Sequence, residues 1–257
     1  MLSRCEYNGY CYSVKSTGVR PSTLQESFIQ ALRLIITAPP ALREIVALTF
    51  RVSGVALAIS AIIGIPLGAA LGLRRFAGRR LLVSFLYTGM GFPPVVIGLI
   101  VYLFLSRSGP LGQWEAPFIP RLFTPSAMIL AQTIISLPLV AGLTMAAVMG
   151  VDPLLRQQVL ALGATERQAL FAILSEARTG VITSIVAGFG GILSEVGAVM
   201  LVGGNIEHRT RVLTTAIVLE TSKGNFELAI ALGIILLGLS FLINVALVYL
   251  QGRAIRE

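Results

Sequence analysis

The chain is 257 residues long, 55% hydrophobic and only 12% charged, with a mean hydropathy of +0.85. That composition excludes an ordinary water-soluble globular domain and places the chain in a membrane. A net charge of +8 would suit a nucleic-acid binder, but the basic residues stand between long apolar stretches, so the charge reads as membrane topology and no nucleic acid is expected.

Residues 1–22 are polar, hold both cysteines (Cys5 and Cys11) and lack the apolar core of a secretory signal. They read as a disordered tail or a misassigned start, and the cysteines as incidental thiols with no histidine or further cysteine near enough to complete a metal site. In residues 24–38, Phe28, Leu32, Ile35 and Ile36 recur at helical spacing, interrupted by Glu26 and Arg33. This is the pattern of an amphipathic helix lying at the outer face of the membrane and ended by Pro39-Pro40.

A hydrocarbon core about 30 Å thick takes roughly 20 apolar residues of helix, because every backbone group must be satisfied inside the segment. Residues 52–73, 81–105, 127–151 and 228–250 carry no charged side chain, and residues 179–205 carry only Glu195. The expectation is therefore an all-α membrane protein with five spanning helices. Gly64 and Pro66 in the first span, Gly89, Gly91, Pro93 and Pro94 in the second and Pro138 in the third mark kinks, which membrane helices tolerate where neighbours satisfy the freed carbonyls. Residues 74–80 hold four arginines, so the positive-inside rule puts this loop in the cytoplasm. Alternation then places residues 152–178 and the tail with Arg253 and Arg256 in the cytoplasm, and residues 106–126 and 206–227 outside.

Between the third and fourth spans, residues 152–178 are too polar to cross a bilayer and too apolar for a plain linker. Asp152 followed by Pro153 is a helix start, Gly163 suits a left-handed stop, and Thr165 with Gln168 forms a capping box that opens a second helix. Leu155, Val159 and Leu162 line one face of the first helix. Ala169, Leu170, Ile173 and Ala177 continue an apolar stripe on the second, leaving Arg156, Glu166 and Arg167 toward water. Such a hairpin is built to dock onto something.

In the fourth span Gly190, Ser194 and Ala198 recur every four residues and would let another helix approach closely. Beside them Glu195 costs about 2.5–3.5 kcal/mol near mid-membrane, so it is expected to be paired, protonated or turned to a water-filled cavity. Ionised, it cannot attract an anion, and a packing or gating role suits it better. Farther on, Asn205, Thr210, Arg211, Thr214 and Thr215 offer amide, hydroxyl and guanidinium donors, suited to an anion, to the cap of a surface helix or to contact with an external protein. His208 stands among them as a solvent-facing residue without metal partners.

The hairpin sequence resembles the E-A-A-x3-G loop of binding-protein-dependent ABC transporter permeases. The glycine matches at Gly163, the Glu-Ala-Ala falls on Gln157, Gln158 and Val159, and the later Ile-x-Leu-Pro falls on Ile173, Leu174, Ser175 and Glu176. Residues 194–217 are similar to the oxyanion permeases for molybdate and tungstate, in Ser194-Glu195-Val196-Gly197-Ala198, Gly203-Gly204-Asn205-Ile206 and Thr210-Arg211-Val212-Leu213-Thr214-Thr215. The tungstate branch also resembles this chain in having Glu176-Ala177-Arg178 where other permeases have Leu-Pro. The likeness covers residues 24–252, so the permease domain is set at 23–252 and a short tail at 253–257.

The resemblance implies a type I ABC importer permease fold: about five spans, an N-terminal amphipathic helix and a cytoplasmic coupling helix. It implies that Gln157, Gln158, Val159, Leu162, Gly163, Ala164, Thr165 and Ile173 couple to a partner ATPase. It places Glu195, Ser194, Gly197, Asn205, Thr210, Arg211 and Thr214 on a translocation pathway or gate. The implied partners are ABC ATPase subunits, an extracytoplasmic oxyanion-binding protein, a second copy of the chain and membrane lipid, with no cofactor or metal. Tungstate is the expected cargo, with molybdate or sulfate as alternatives. Neither a G-x-S-x-G elbow nor a phosphate-cradling glycine loop occurs, so no hydrolase chemistry is expected in this chain. A secondary transporter would carry more spans and more ionisable groups inside them.

Overall fold

The computed structural model describes residues 39–256 apart from 75 and 115–118, together with Ile29, Leu32, Arg33 and residues 35–37. The expectations for residues 1–22 and for most of the helix at 24–38 lie outside the described residues. Within 39–256 there are ten helices and, among the described residues, no strand.

Helix α1 (Pro40–Leu73) has proline at its first position, where the missing N–H costs nothing, and at 34 residues is about 50 Å long, more than a bilayer core requires. Val52, Ala56, Ser60, Gly64 and Gly68 are buried at four-residue spacing along one face of it. That face lies on α4 (Pro125–Met149), which opens on a Thr124 cap accepting from the Ala127 N–H. Small residues set this crossing. A Cβ on Gly68 would collide with the Ala141 carbonyl oxygen, and one on Gly72 would come within 3.1 Å of Val148. Two buried hydroxyl pairs fasten the bundle, Ser60 with Ser136 at 2.6 Å and Thr144 with Ser184 at 3.0 Å, the interhelical bonds expected where lipid supplies no hydrophobic drive.

The second predicted span, residues 81–105, is not one helix. Helices α2 (Arg79–Gly91) and α3 (Pro94–Leu105) meet at an angle of 103°. Pro93 and Pro94 supply no N–H to a continuing helix, and Phe92 and Pro93 are extended, so the kink expected from these prolines becomes a full change of direction. The fourth predicted span, residues 179–205, is broken as well. Helix α7 (Arg178–Ser194) stops at Glu195, which is extended, and α8 (Gly197–Gly203) starts two residues later. No proline lies here. The cause is tertiary: α8 crosses α3 so closely that a Cβ on Gly98 would collide with Ala198, and one on Gly197 with Val95. The last span is a single helix, α10 (Phe226–Arg256). Among the described residues, three helices are therefore long and apolar enough to cross a membrane alone, and up to five spans result if α2 with α3, and α7 with the helix at Glu166–Glu176 that precedes it at a bend of 66°, count as one span each.

The connections sort to two ends. Ala69, Val148, Ile173 and Ala177 form one core cluster that gathers the close of α1, the close of α4 and the start of α7 around the 152–178 hairpin. Arg79 Nε, from the arginine-rich loop, donates to the Leu71 carbonyl at 2.7 Å at this same end. At the opposite end Val101 and Leu105 pack with Ala127 and Val202, and Leu42 with Leu213, Ala216 and Leu232 from α9 (Leu213–Ser222) and α10. The arginine-rich loop and the hairpin, expected on one side of the membrane, lie at one end of the bundle.

Candidate functional site

In the 152–178 hairpin, the Asp152 carboxylate accepts from the Leu154 N–H at 2.9 Å and opens α5 (Pro153–Ala161). The chain reverses at Gly163, whose φ of +87° is the left-handed conformation that glycine adopts without cost. The Gly163 and Ala164 N–H groups return to the carbonyls of Leu160 and Val159 at 3.0 and 3.2 Å. Next, α6 (Glu166–Glu176) opens on a reciprocal box: the Thr165 hydroxyl accepts from the Gln168 N–H, and Gln168 Oε1 accepts from the Thr165 N–H at 2.8 Å. Arg156 Nη2 donates to both Glu166 carboxylate oxygens at 2.9 Å and ties α5 to α6, though an ion pair this exposed adds at most about 1 kcal/mol.

The two helices differ in what they bury. On α6, Ala169 and Ile173 are buried, with Ala177 beyond them, so this helix is anchored to the bundle. Helix α5 buries nothing completely: Leu155 and Val159 are half-buried, and Gln157 and Gln158 are exposed. Leu162 does not continue the row of Leu155 and Val159; it stands at the tip beside Gly163, 88% exposed. The reason is local, since the helix ends at Ala161 and Leu162 is its C-cap at the turn. Ala164 is half-buried and Thr165 exposed.

At the second break, Glu195 is 7% exposed and its Oε1 accepts from the Ala198 N–H at 2.7 Å. The carboxylate is thus paired, and its partner is a backbone N–H left open by the broken helix rather than a cation. Thr214 donates to the Glu195 carbonyl at 3.3 Å, and Gln132 Nε2 donates at 3.5 Å to the Ile192 carbonyl, which also takes the Glu195 N–H. Glu195→Ala is expected to strand the Ala198 N–H and destabilise the chain by about 1–3 kcal/mol, whereas Glu195→Gln keeps an acceptor and most of the stability. Thermal unfolding of the purified variants separates the two, and equal losses would refute the capping role. Gly190 and Ser194 do not form the expected contact stripe with Ala198. Both are exposed, and a Cβ on Gly190 would meet nothing within 4 Å, because the break turns Ala198 to a different side.

Most donors of residues 205–215 are already engaged. Thr210 is fully buried, donating to the Gly203 carbonyl at 2.6 Å and accepting from the Ile206 N–H at 2.9 Å. The Thr215 hydroxyl bonds the Val212 N–H and carbonyl. Asn205, at a φ of +50°, donates to the Thr215 carbonyl, and its Oδ1 is buried without a partner. Arg211 pairs with Glu207 at 3.4 Å while its buried Nε has no partner.

His208 Nδ1 lies 2.6 Å from Glu44 of α1. The hydrogen bond to Glu44, and then its charge, raise the His208 pKa above its ordinary value. The folded-state pKa is the higher one, so this pair stabilises fully below the unfolded value of about 6.5 and its contribution is lost as pH rises through the folded value. An NMR titration should place the His208 midpoint above about 6.5 and return it there in Glu44→Gln. An unmoved midpoint would rule out the pair in solution.

Reading by composition missed the Gly64, Gly68 and Gly72 face, Gln132 and Glu44. The first did have a signal, since Ser60, Gly64, Gly68 and Gly72 repeat every four residues.

Residues 64–256 match the family described as binding-protein-dependent transport system inner membrane component. The chain belongs to that family. It is 47% identical, over 78% of its length and 87% of the relative's, to the Haloferax volcanii "Probable anion ABC transporter permease protein". With the tungstate uptake system permease protein TupB of Peptoclostridium acidaminophilum it shares 40% identity over 89% of this chain and 98% of the relative. Molybdenum and sulfate transport permeases match at 27–31% identity. The permease superposes on a chain of a bacterial alginate ABC transporter, crystallised with an alginate-bound periplasmic protein, with a TM-score of 0.73, 20% identity and coverage of 90% and 86%. The fold is that of ABC importer permeases, and these relatives are named as transport subunits rather than enzymes.

Proposed function

We propose that the chain is the membrane-spanning subunit of an ABC importer for a group-6 oxyanion, tungstate, working as a homodimer with two ATPase subunits and an extracytoplasmic binding protein. The observation that carries the reading is the pairing of a doubly capped hairpin, anchored by one helix and open along the other, with 40% identity to a tungstate uptake permease across nearly its whole length. The hairpin shares its end of the bundle with the arginine-rich loop, which supports a cytoplasmic position for both.

ATP-driven approach of the two ATPases would draw the hairpins together. The motion reaches the spans through Ala169, Ile173 and Ala177, buried against the ends of α1 and α4. The breaks at Phe92-Pro93 and Glu195-Val196 are places where a span changes direction without losing a full ladder of hydrogen bonds. Of the candidate pathway groups, Asn205 keeps a spare polar atom. The Thr210 hydroxyl is committed to its own loop, and Glu195 serves the gate as a cap. Metal-resolved uptake in cells with and without the gene tests the cargo. Gene-dependent accumulation of tungstate over molybdate is the expected result. Accumulation independent of the gene overturns the reading, and gene-dependent molybdate alone moves it to the molybdate branch.

A further inference from the structure

A cleft of about 310 Å³ opens where the start of α1 meets the 204–212 loop, α9 and the start of α10, at the end opposite the hairpin. Leu42, Ile45, Leu48, Leu228 and Leu232 line it, and they belong to helices whose outward residues, such as Val55 on α1 and Leu237 and Phe241 on α10, are exposed as lipid-facing side chains are. Its rim is charged. Three carboxylates there each have a basic partner: Glu44 with His208 at 2.6 Å, Glu207 with Arg211 at 3.4 Å and Glu220 with Lys223 at 2.9 Å. Asn225 also donates to Glu220 at 3.0 Å, so that buried acid is satisfied. Two donors are left over. Arg209 is exposed and has no partner among the described residues, and Arg211 Nε–H is buried with none.

The chemistry of such a cleft selects one kind of ligand. A small oxyanion would leave the apolar lining unfilled. A purely apolar molecule would leave the spare guanidinium groups unused. We propose that this cleft binds an anionic phospholipid, with the phosphate against Arg209 and the Arg211 Nε–H and the upper part of one acyl chain along Leu42, Ile45, Leu48, Leu228 and Leu232. The volume is at the low end of small-ligand sites, roughly 300–1,000 Å³, and suits part of one chain rather than a whole lipid. The loop that carries Arg211 also carries Asn205 and Thr210, so the lipid would brace the segment next to the α7–α8 break. This inference goes beyond the transport reading and depends only on the chain being embedded in a membrane.

Native mass spectrometry on the full-length permease, released from nanodiscs containing phosphatidylglycerol and phosphatidylcholine in equal amounts, tests it. The wild type is expected to retain phosphatidylglycerol preferentially. Arg209→Gln, which removes the head contact, should lower retention by about tenfold, the effect of losing one charge-assisted contact, and Ala41→Trp, which fills the mouth from an exposed position, should lower it at least as much. Equal retention of both lipids, or no effect of either variant, overturns the proposal. Displacement of the lipid by millimolar inorganic phosphate or tungstate would make the cleft a free-oxyanion site and overturn it too. Cross-linking of Cys introduced at Ala41 to the N-terminal residues would show that the chain itself fills the cleft, with the same result. Loss of gene-dependent tungstate uptake bears only on the transport reading, since lipid retention is scored on purified protein.

Discussion

Replacing Gly68 by leucine is expected to leave no folded permease. Even one carbon at this position runs into the Ala141 carbonyl oxygen, lies 2.9 Å from Thr144 Cβ and 3.0 Å from the Met145 N, so the obstacle is the backbone of α4 and not a side chain that could rotate away. Overpacking of a tight interface costs about 1–3 kcal/mol when side chains can yield, so Gly68→Ala should cost at least the upper figure and Gly68→Leu more than the fold can absorb. Gly54 and Gly190 are the controls. A Cβ on either meets nothing within 4 Å, and alanine there removes the penalty of glycine in a helix, about 0.5–1 kcal/mol, so Gly54→Ala and Gly190→Ala should be neutral or stabilising. Thermal unfolding in detergent, with recovery of monodisperse protein, measures all four. A Gly68→Leu variant recovered in normal yield would show that α1 and α4 do not pack face to face as described.

These glycines also show what a sequence conveys about a membrane fold. That the chain crosses a membrane several times is legible because the bilayer imposes one requirement, about 20 apolar residues, that composition alone reports. Direction within a span is not. Residues 81–105 and 179–205 are uniformly apolar on both sides of their breaks, and hydropathy cannot tell a straight helix from one that turns by 103°. At Pro93-Pro94 a local signal existed and understated the outcome; at Glu195 none existed, because the cause is the crossing of α3 and α8 at Gly98 and Ala198, residues far apart in the chain. The same break explains why Gly190, Ser194 and Ala198 lost their common face while Ser60, Gly64, Gly68 and Gly72 kept theirs. Periodicity holds only as far as the helix does.

The hairpin was legible almost atom by atom, because its instructions are local. A cap at Asp152, a left-handed residue at Gly163 and a box between Thr165 and Gln168 are interactions across two to four residues, and each occurs as its residue types dictate. Only Leu162 departs from that reading. Two of the donors at 205–215 also act locally. Threonine hydroxyls satisfy nearby backbone groups as readily as they bind a ligand, and Thr210 and Thr215 do the former.

Leu162→Asp is expected to abolish capture of the ATPase while leaving the permease as stable as before. A single exposed leucine is common on a protein surface, but this one is 88% exposed at the apex of a turn held by a left-handed glycine and a capping box, so it is presented rigidly. An anchor that enters a partner pocket without ordering cost is the kind of side chain whose loss costs about 2 kcal/mol or more, a weakening of at least ~30-fold. Charge at that point also places a carboxylate in the pocket with no partner. Leu162→Ala should retain part of the affinity. Gly163→Asp should fall between them, because aspartate tolerates the left-handed region at a cost of order 1 kcal/mol and the hairpin is strained rather than unmade. The measurement is co-purification of the ATPase with each variant, alongside thermal unfolding of the permease alone. Because Leu162 buries almost nothing within the chain, a fall in unfolding temperature for Leu162→Asp would mean that the tip folds back onto the bundle. Undiminished recovery of the ATPase would move the contact away from the tip to the exposed side chains of α6, such as Phe171.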